Sequence, residues 1–450
     1  MMAAVLSMLA LLAAGAAAGA TPAPEPPASR PVDTGAADAA TGFTVEQAVA
    51  VALQRNRDAI AARLDIEASE LDVVAARIYP NPVAQYGIGN LVLGQANPQG
   101  GAVREPPGFA GQRVQTIGVS ELLDVWMKRS ARARAAEQGV VQRRLLTEDA
   151  LREVVYAVRT GFVDVLRAQA TRRLAREVVE RFGEVLRLAR ARFKSGDIAH
   201  TELGKLELEG LRYANAIIEA DADLDVTRGR LASLIGVSPG ELPAGELAPM
   251  TLEAPALEAS LAVLTARALQ QRPDLRAAGA ARTRADAELS AAQREVYPDL
   301  TVGAAYTHSD FEVAGENPNT LAFNLSLPLP LFDRNQANIG RARLEARRAD
   351  NDGERLRLEV ARDVAAAVRQ RQRARTLLTA LEAPGDGMLA RAEAALTVAE
   401  KSYRAGAITM LELLESQRTY LDTRAQDLRV RYDIRQATAD VVHAVGEPTP

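Results

Sequence analysis

Residues 192–211 read RFKSGDIAHTELGKLELEGL, and residues 402–421 read SYRAGAITMLELLESQRTYL. In both stretches an aromatic stands three residues before a glycine (Phe193 before Gly196, Tyr403 before Gly406). An isoleucine stands two after it (Ile198, Ile408), and Glu-Leu comes next (Glu202-Leu203, Glu412-Leu413). Three further features recur in the same order: ALQRNRDAIAA at 52–62 with ALQQRPDLRAA at 268–278, IYPNP at 78–82 with VYPDL at 296–300, and SELLDVWMKR at 120–129 with SLPLPLFDRN at 326–335. The chain is therefore an internal duplication, and both halves must be built from the same elements in the same order. The spacing between copies drifts only slightly, which puts insertions in the connections. The first repeat is taken as 43–247, the second as 248–446, and 447–450 as a tail.

Each half reads as a short helix, a medium helix, two strands, a very long helix, a break and a shorter helix. The very long helices are expected over 125–193 and 335–403, each as one unbroken element. Apolar residues fall there at alternating three and four spacing, as at Leu151, Val155, Val158, Phe162 and Val165, then at Val179, Phe182, Leu186, Ala189 and Phe193. After the second break, Leu421, Ala425, Leu428 and Tyr432 continue the line. Such a seam signals coiled coil. At 1.5 Å per residue each long helix reaches roughly 100 Å, more than a globular core needs. The composition fits long helices, with aromatics at only 4% and charged residues at 25%. The breaks are Lys194-Ser195-Gly196-Asp197 and Arg404-Ala405-Gly406-Ala407. Glycine supplies the left-handed conformation that ends a helix, and the basic residue before it suits the helix C-terminal dipole. Each break is the expected turn of an antiparallel helical hairpin.

The strands carry a period of two. In LAFNLSLPLPL (321–331), Leu321, Phe323, Leu325, Leu327, Leu329 and Leu331 alternate with Ala322, Asn324, Ser326, Pro328 and Pro330. Its partner sets Leu300, Val302, Ala304, Tyr306 and His308 against Thr301, Gly303, Ala305 and Thr307. Strands are expected at about 82–92, 113–122, 299–310 and 320–331, those of the first half alternating less cleanly, with 93–112 as a long Gly/Pro-rich loop. Ten-residue alternating segments joined by polar loops are the signature of a membrane β-barrel hairpin. A soluble hairpin packed on helices is the other reading. Four strands cannot close a barrel, and an open edge in lipid leaves backbone groups unsatisfied. A membrane role therefore requires several copies of the chain.

Residues 3–20 form an apolar run ending in small residues, and TPAPEPPASRPVDTG comes directly after it. The run reads as a secretory signal peptide over 1–20, with a Pro-rich linker over 21–42. A membrane anchor is the alternative, for which the apolar part is short. The chain contains no cysteine, which excludes disulfides, thiolate metal sites and a lipid-modified cysteine from it. Its net charge of −4 gives no basic face for nucleic acid.

With duplication, paired hairpins, very long helices and glycine tips in place, the chain resembles the TolC-like outer-membrane factor family over nearly its whole mature length. YPNP, LPLPLFDRNQANIGRA and YRAGAITMLELLESQ are most similar to the branch serving heavy-metal and other cation efflux. The resemblance implies a mainly helical chain with a small membrane β part, three copies forming a twelve-stranded barrel continued by a periplasmic α-helical barrel. It implies an outer-membrane exit duct with a long periplasmic extension, docked through a periplasmic adaptor (a membrane fusion protein) onto an inner-membrane transporter of the RND type. The two opening stretches become periplasmic tips, with Phe193, Gly196, Asp197, Ile198, Gly406 and Ala407 as adaptor contacts. Thr201, Glu202, Tyr403, Ile408, Glu412 and Glu415 become the gate and pore mouth, and Leu321, Phe323, Leu325 and Leu327 the lipid-facing strand. Glu412 and Glu415 share a helix face, and with Glu202 they are candidates for an acidic ring that favours cations. Some relatives carry a basic gate residue where this chain has Ile408. Lys205 stands at the position equivalent to Glu415, which interrupts such a ring.

The three histidines (His200, His308, His443) fall at a tip, in a strand and near the C-terminus, and no zinc spacing, phosphate loop or nucleophile elbow is present. No catalysis, cofactor or tightly bound metal is expected. Two functions remain. One is a passive outer-membrane conduit for metal ions, drugs or polypeptides; the other is a soluble periplasmic coiled-coil adaptor or scaffold that buries its strands.

Overall fold

The computed structural model describes residues 42–89, 114–250, 258–309, 317–383 and 387–446. The expected signal peptide, nearly all of the linker, the loop 93–112 and the tail 447–450 lie outside the described residues, as do the outermost positions of three expected strands.

The first repeat contains α1 (Val45–Arg55), α2 (Arg57–Arg77), β1 (Val83–Gly89), β2 (Val114–Leu123), α3 (Lys128–Lys194) and α4 (His200–Ile235). The second contains α5 (Leu261–Gln271), α6 (Pro273–Arg294), β3 (Leu300–Ser309), β4 (Asn319–Ser326), α7 (Gln336–Glu382), α8 (Met388–Arg404) and α9 (Met410–Val445). Two expected element boundaries fail. The stretch 335–403 is not one helix: α7 ends at Glu382 and α8 begins at Met388. The sequence between them is Ala383-Pro384-Gly385-Asp386-Gly387, and a proline there removes a helical donor and clashes with the preceding turn. The last strand ends at Ser326, not at 331, because Pro328 and Pro330 cannot donate to a ladder. Leu327 is thus one residue beyond β4.

The two repeats share their joints in detail. Asn56 stands between α1 and α2 and donates its Nδ2 to the Leu234 carbonyl at the end of α4, at 2.8 Å. Arg272 stands between α5 and α6 and donates Nη1 to the Ala444 carbonyl at the end of α9, at 3.4 Å. Each short helix pair therefore satisfies the orphan carbonyls of its own repeat's last helix. Val155, Val158, Phe162 and Val165 are buried against α1 and α4, as their spacing predicts. On α9 the expected line fails. Leu421 and Leu428 are half-buried and Ala425 is exposed, while Tyr420, Thr423, Asp427 and Val430 are buried. α9 packs on α3 as well as on α7 and α8, and the face between those neighbours carries an aspartate. Asp427, only 2% exposed, accepts from Arg431 Nε at 3.1 and 3.0 Å, which makes that burial tolerable.

The elements lie side by side in one sequence-spanning order. Strands run β1-β2-β3-β4, all antiparallel. Next to them α2 packs on α3, α3 on α6 and α6 on α7, and further along α4 packs on α3, α3 on α9, and α9 on α7 and α8. The chain is therefore four elements wide along its length. One edge is formed by β1, α2 and α4, the other by β4, α7 and α8.

Candidate functional site

The two tips have the same backbone. At the first, the Asp197 N–H donates to the Arg192 carbonyl at 2.9 Å and the Gly196 N–H to the Phe193 carbonyl at 3.1 Å. At the second, Ala407 donates to Ser402 at 2.9 Å and Gly406 to Tyr403 at 3.0 Å. Gly196 (φ 81) and Gly406 (φ 75) take the left-handed conformation, so both ends are Schellman turns of the kind the glycines predict. The helix starts beyond the two turns differ. Thr409 caps α9 with a full capping box: its hydroxyl oxygen accepts from the Glu412 N–H at 3.4 Å, and its own N–H donates to Glu412 Oε2 at 2.7 Å. Ala199, at the same place before α4, offers no side-chain cap.

The structure brings both tips into one apolar cluster. Ile198, Leu203 and Leu206 from the first pack with Tyr403, Met410, Leu413 and Leu414 from the second, with Phe193 and Ile408 at its margin. Of the six residues assigned to the tips, Gly196, Asp197, Gly406 and Ala407 are exposed, whereas Ile198 is buried and Phe193 half-buried. Tyr403 is 3% exposed, and its hydroxyl has no hydrogen-bond partner. Burial raises its pKa, and the nearby Glu202 carboxylate adds to the effect. Thr201, Glu412 and Glu415 are exposed, and Glu202 is half-buried. Hydrogen bonds from Thr409, first its N–H and then its hydroxyl, hold the Glu412 carboxyl below its ordinary value.

Sequence reasoning missed the residues that cross between the hairpins. Arg192 places its guanidinium 5.1 Å from the Tyr403 ring and donates to the Tyr403 carbonyl at 3.3 Å. Farther from the turns, Glu209 on α4 is buried and paired with Arg418 on α9, and Arg212 reaches the same carboxylate oxygen at 2.8 Å. Neither Arg192 nor Arg418 has a basic counterpart in the other repeat, where Ser402 and Leu208 stand. That asymmetry is the signal the repeat comparison contained.

The sheet has two chemically distinct faces. Register puts Ala84, Val119, Ala304 and Phe323 in one cross-strand row, Tyr86, Ile117, Tyr306 and Leu321 in the next, and Glu121, Val302 and Leu325 in a third. Alternate rows face the other way and hold Gly87, Thr116, Thr307 and Thr320, or Gln85, Gly118, Ala305 and Ala322. In the first two rows the apolar residues of the first hairpin align with those of the second despite its weaker alternation, whereas in the third the exposed Glu121 stands opposite Val302. Phe323 is 80% exposed, and Leu321 and Leu325 are also exposed. None of the described residues covers this face. β1 and β4 each have one open edge, and the edge helices repeat the theme, with Leu64, Leu71 and Ile218 exposed on α2 and α4 and Leu358 and Val398 on α7 and α8.

No helix among the described residues is long and apolar enough to cross a membrane. None of the described His, Asp and Glu side chains form a group of three or more placed to hold a metal.

An uncovered apolar sheet continued by long helical hairpins defines a class of membrane-associated proteins with a helical extension. The chain belongs to the outer membrane efflux protein family, whose sequence pattern matches residues 48–237 and 264–447. It is 26% identical to the cobalt-zinc-cadmium resistance protein CzcC of Cupriavidus metallidurans over 410 residues, covering 91% of each chain. It is 28% identical to the cation efflux system protein CusC of Escherichia coli K12 over 244 residues, 51% of each. It is 23% identical to the pyoverdine export outer membrane protein OpmQ of Pseudomonas putida, covering 89% of this chain and 85% of OpmQ. The fold matches the crystal structure of CusC with a TM-score of 0.71 at 20% identity, over 94% of this chain and 99% of that one. It matches that of the outer membrane protein VceC of Vibrio cholerae with a TM-score of 0.72 at 17% identity, over 89% and 96%.

Proposed function

We propose that three copies of the chain close edge to edge into an outer-membrane channel, a twelve-stranded barrel continued by a periplasmic helical barrel. The observation that carries this reading is the pair of matched open edges. β1 and β4 leave unpaired backbone groups that lipid cannot satisfy, and the helices on the same two edges expose apolar side chains suited to packing on each other. Head-to-tail closure satisfies both edges at once. The apolar sheet face, with Leu321, Phe323 and Leu325 on it and Leu327 just beyond, then meets lipid.

The channel is the exit duct of a tripartite exporter. A periplasmic adaptor meets the tips at Gly196, Asp197, Gly406 and Ala407, with Phe193 and Ile198 as their apolar backing, and an RND-type inner-membrane transporter supplies the energy. Tyr403, Thr201 and Ile408 lie at the closed end, and Glu202, Glu412 and Glu415 give its mouth a negative potential that favours cations. The similarity to CzcC and CusC supports metal or other cations as cargo. The similarity to OpmQ favours an organic cargo as the second reading.

The test is single-channel conductance of the detergent-extracted protein in a planar bilayer, beside a variant with Glu202→Gln, Glu412→Gln and Glu415→Gln together. Conductance whose cation preference falls in the variant is expected; conductance that ignores the substitutions removes the acidic mouth. A protein that forms no SDS-resistant trimer and no channel overturns the conduit. Leu325→Asp should impair outer-membrane insertion, since a charge on the lipid face is unfavourable, though an aspartate costs less than the about 2–4 kcal/mol of a lysine or arginine at the midplane.

A further inference from the structure

The two hairpins differ at one pair of positions where the repeat would have them agree. In the first hairpin Arg190 on α3 donates to Glu207 on α4, from Nε at 3.2 Å and from Nη2 at 3.0 Å, both to one carboxylate oxygen. A donor on the outgoing arm thus meets an acceptor on the return arm. Extending the alignment of 192–211 with 402–421 back by two residues places Glu400 on α8 where Arg190 stands, and Gln417 on α9 where Glu207 stands. A carboxylate has replaced the guanidinium.

Gln417 is only 6% exposed, and its side-chain oxygen Oε1 is buried without a hydrogen-bond partner. Gln417 and Glu400 line one small cavity where the second hairpin meets α3, walled also by Glu177 and Arg181 of α3 and by the buried Leu396 and Tyr420. The cavity leaves about 20 Å³ for the centre of a water-sized sphere, and one water needs roughly 10–15 Å³ on that measure. A single molecule fits. Cavities that stay dry are lined by apolar groups, and a buried carbonyl oxygen without a donor is costly to keep. With two acceptors on its lining, this cavity calls for a donor.

We infer that the cavity is a binding site for a single water molecule, which donates one hydrogen to Gln417 Oε1 and the other to the Glu400 carboxylate, standing in for the guanidinium of the first hairpin. A bare cation is the competing occupant, and the lining is too poor in oxygens for it. Glu177 is already paired with Arg181 at 2.8 Å, which leaves one carboxylate and one amide oxygen, short of the roughly six oxygens that a hard cation takes. The site changes how the arms hold each other. A direct ion pair fixes two side chains in one geometry, whereas a bridging water can follow either partner as the helices shift and still keep both bonds. The second hairpin, which carries Tyr403, is thus held at this level through solvent, and the first by a direct pair.

The test is a crystal structure of the detergent-extracted protein at a resolution that shows ordered solvent, with one crystal soaked in thallium acetate as a probe for monovalent cations. One solvent peak should appear in the cavity, about 2.5–3.0 Å from Gln417 Oε1 and from a Glu400 oxygen, with no thallium signal on it. An empty cavity, or a Gln417 amide turned to donate directly to Glu400, would overturn the water site. A thallium peak there would overturn it as well, by making the occupant a cation. The double variant Glu400→Arg with Gln417→Glu transplants the pair of the first hairpin, and its crystal should lack the peak. A peak that persists in that variant would mean that other groups of the lining hold the water, and Glu400 and Gln417 would lose the part assigned to them.

Discussion

The two helical hairpins descend from one repeat, yet they differ along their outgoing arms. α3 runs 67 residues from Lys128 to Lys194 without interruption. Its counterpart is divided into α7, of 47 residues, and α8, of 17. Gly387 caps α8, and its N–H donates to the Ala383 carbonyl at 2.8 Å, so the two helices stay linked across the break. The return arms are equal, 36 residues each for α4 and α9. An unbroken helix transmits a bend along its length, whereas a break concentrates it at a few residues. The compliance of the paired tips therefore lies in α8, which carries Tyr403, while the Arg192 that holds Tyr403 stands on the stiff arm.

The largest effect that tests this contrast is at the break itself. A side chain at Gly387 would bring its Cβ to 2.5 Å from the Leu381 carbonyl oxygen and 2.9 Å from that of Ala383, both backbone atoms that cannot step aside. Gly387→Val should therefore destabilise the second hairpin by about 1–3 kcal/mol. In the unbroken arm, a Cβ at Gly183 meets nothing within 4 Å, so Gly183→Ala should stabilise by roughly 1 kcal/mol through helix propensity. Thermal unfolding followed by circular dichroism reads both. Shifts of the same sign would mean that the two arms are equally tolerant and that the break is not a special joint.

Much of this architecture was legible because it is periodic. The repeat order, the tip turns and the alternation at Leu321, Phe323 and Leu325 arise from local spacing, and the structure has them. The break in the second arm was also written in the sequence, as Pro384 with Gly385 and Gly387 after it, and reading 335–403 as one helix overlooked that proline. Thr409 and Glu412 spell a capping box, although Glu412 entered the reading only as a charge for the pore mouth. Other features were out of reach. The contact of Arg192 with Tyr403 spans 211 residues and depends on how two hairpins lie together. The buried Asp427 on α9 reverses the usual reading of a charged residue as a solvated flank, because α9 has neighbours on more than one side. The left-handed Met127, at φ 54, comes from the geometry of the turn between β2 and α3, and no propensity signals it.

A smaller effect compares the two tips by exchanging their caps. Thr409→Ala removes a hydroxyl that accepts the Glu412 N–H, and the loss should be about 1 kcal/mol. Ala199 already has the extended backbone of a cap, with φ −75 and ψ 153, and Glu202 stands at the third helical position after it. Ala199→Ser should complete a second box and return a similar or smaller gain. Denaturant midpoints of the two variants should move in opposite directions. If Ala199→Ser moves nothing, the first tip is held by the apolar packing of Ile198 and Leu203 rather than by its helix start.

The smallest effect is acid sensitivity, and it too should divide the tips. The bonds from Thr409 lower the pKa of Glu412 in the folded chain from its ordinary 4.5. For a depressed carboxyl the folded state favours the ionised form. Its contribution is therefore complete above the unfolded value and disappears as pH falls through the folded one. Protonation leaves Glu412 a poorer acceptor for the Thr409 N–H, so the protection factor of that amide in hydrogen exchange should fall on acidification below pH 4.5. Ala199 has no side-chain cap to lose, and its amide should show no matching step. The Thr409→Ala variant should weaken the step at the second tip, and Ala199→Ser should introduce one at the first by giving Glu202 the partner that Glu412 has. Equal acid steps at both tips in the unaltered protein would assign the response to charge shared between the tips, and the capping box would lose its part in setting the two tips apart.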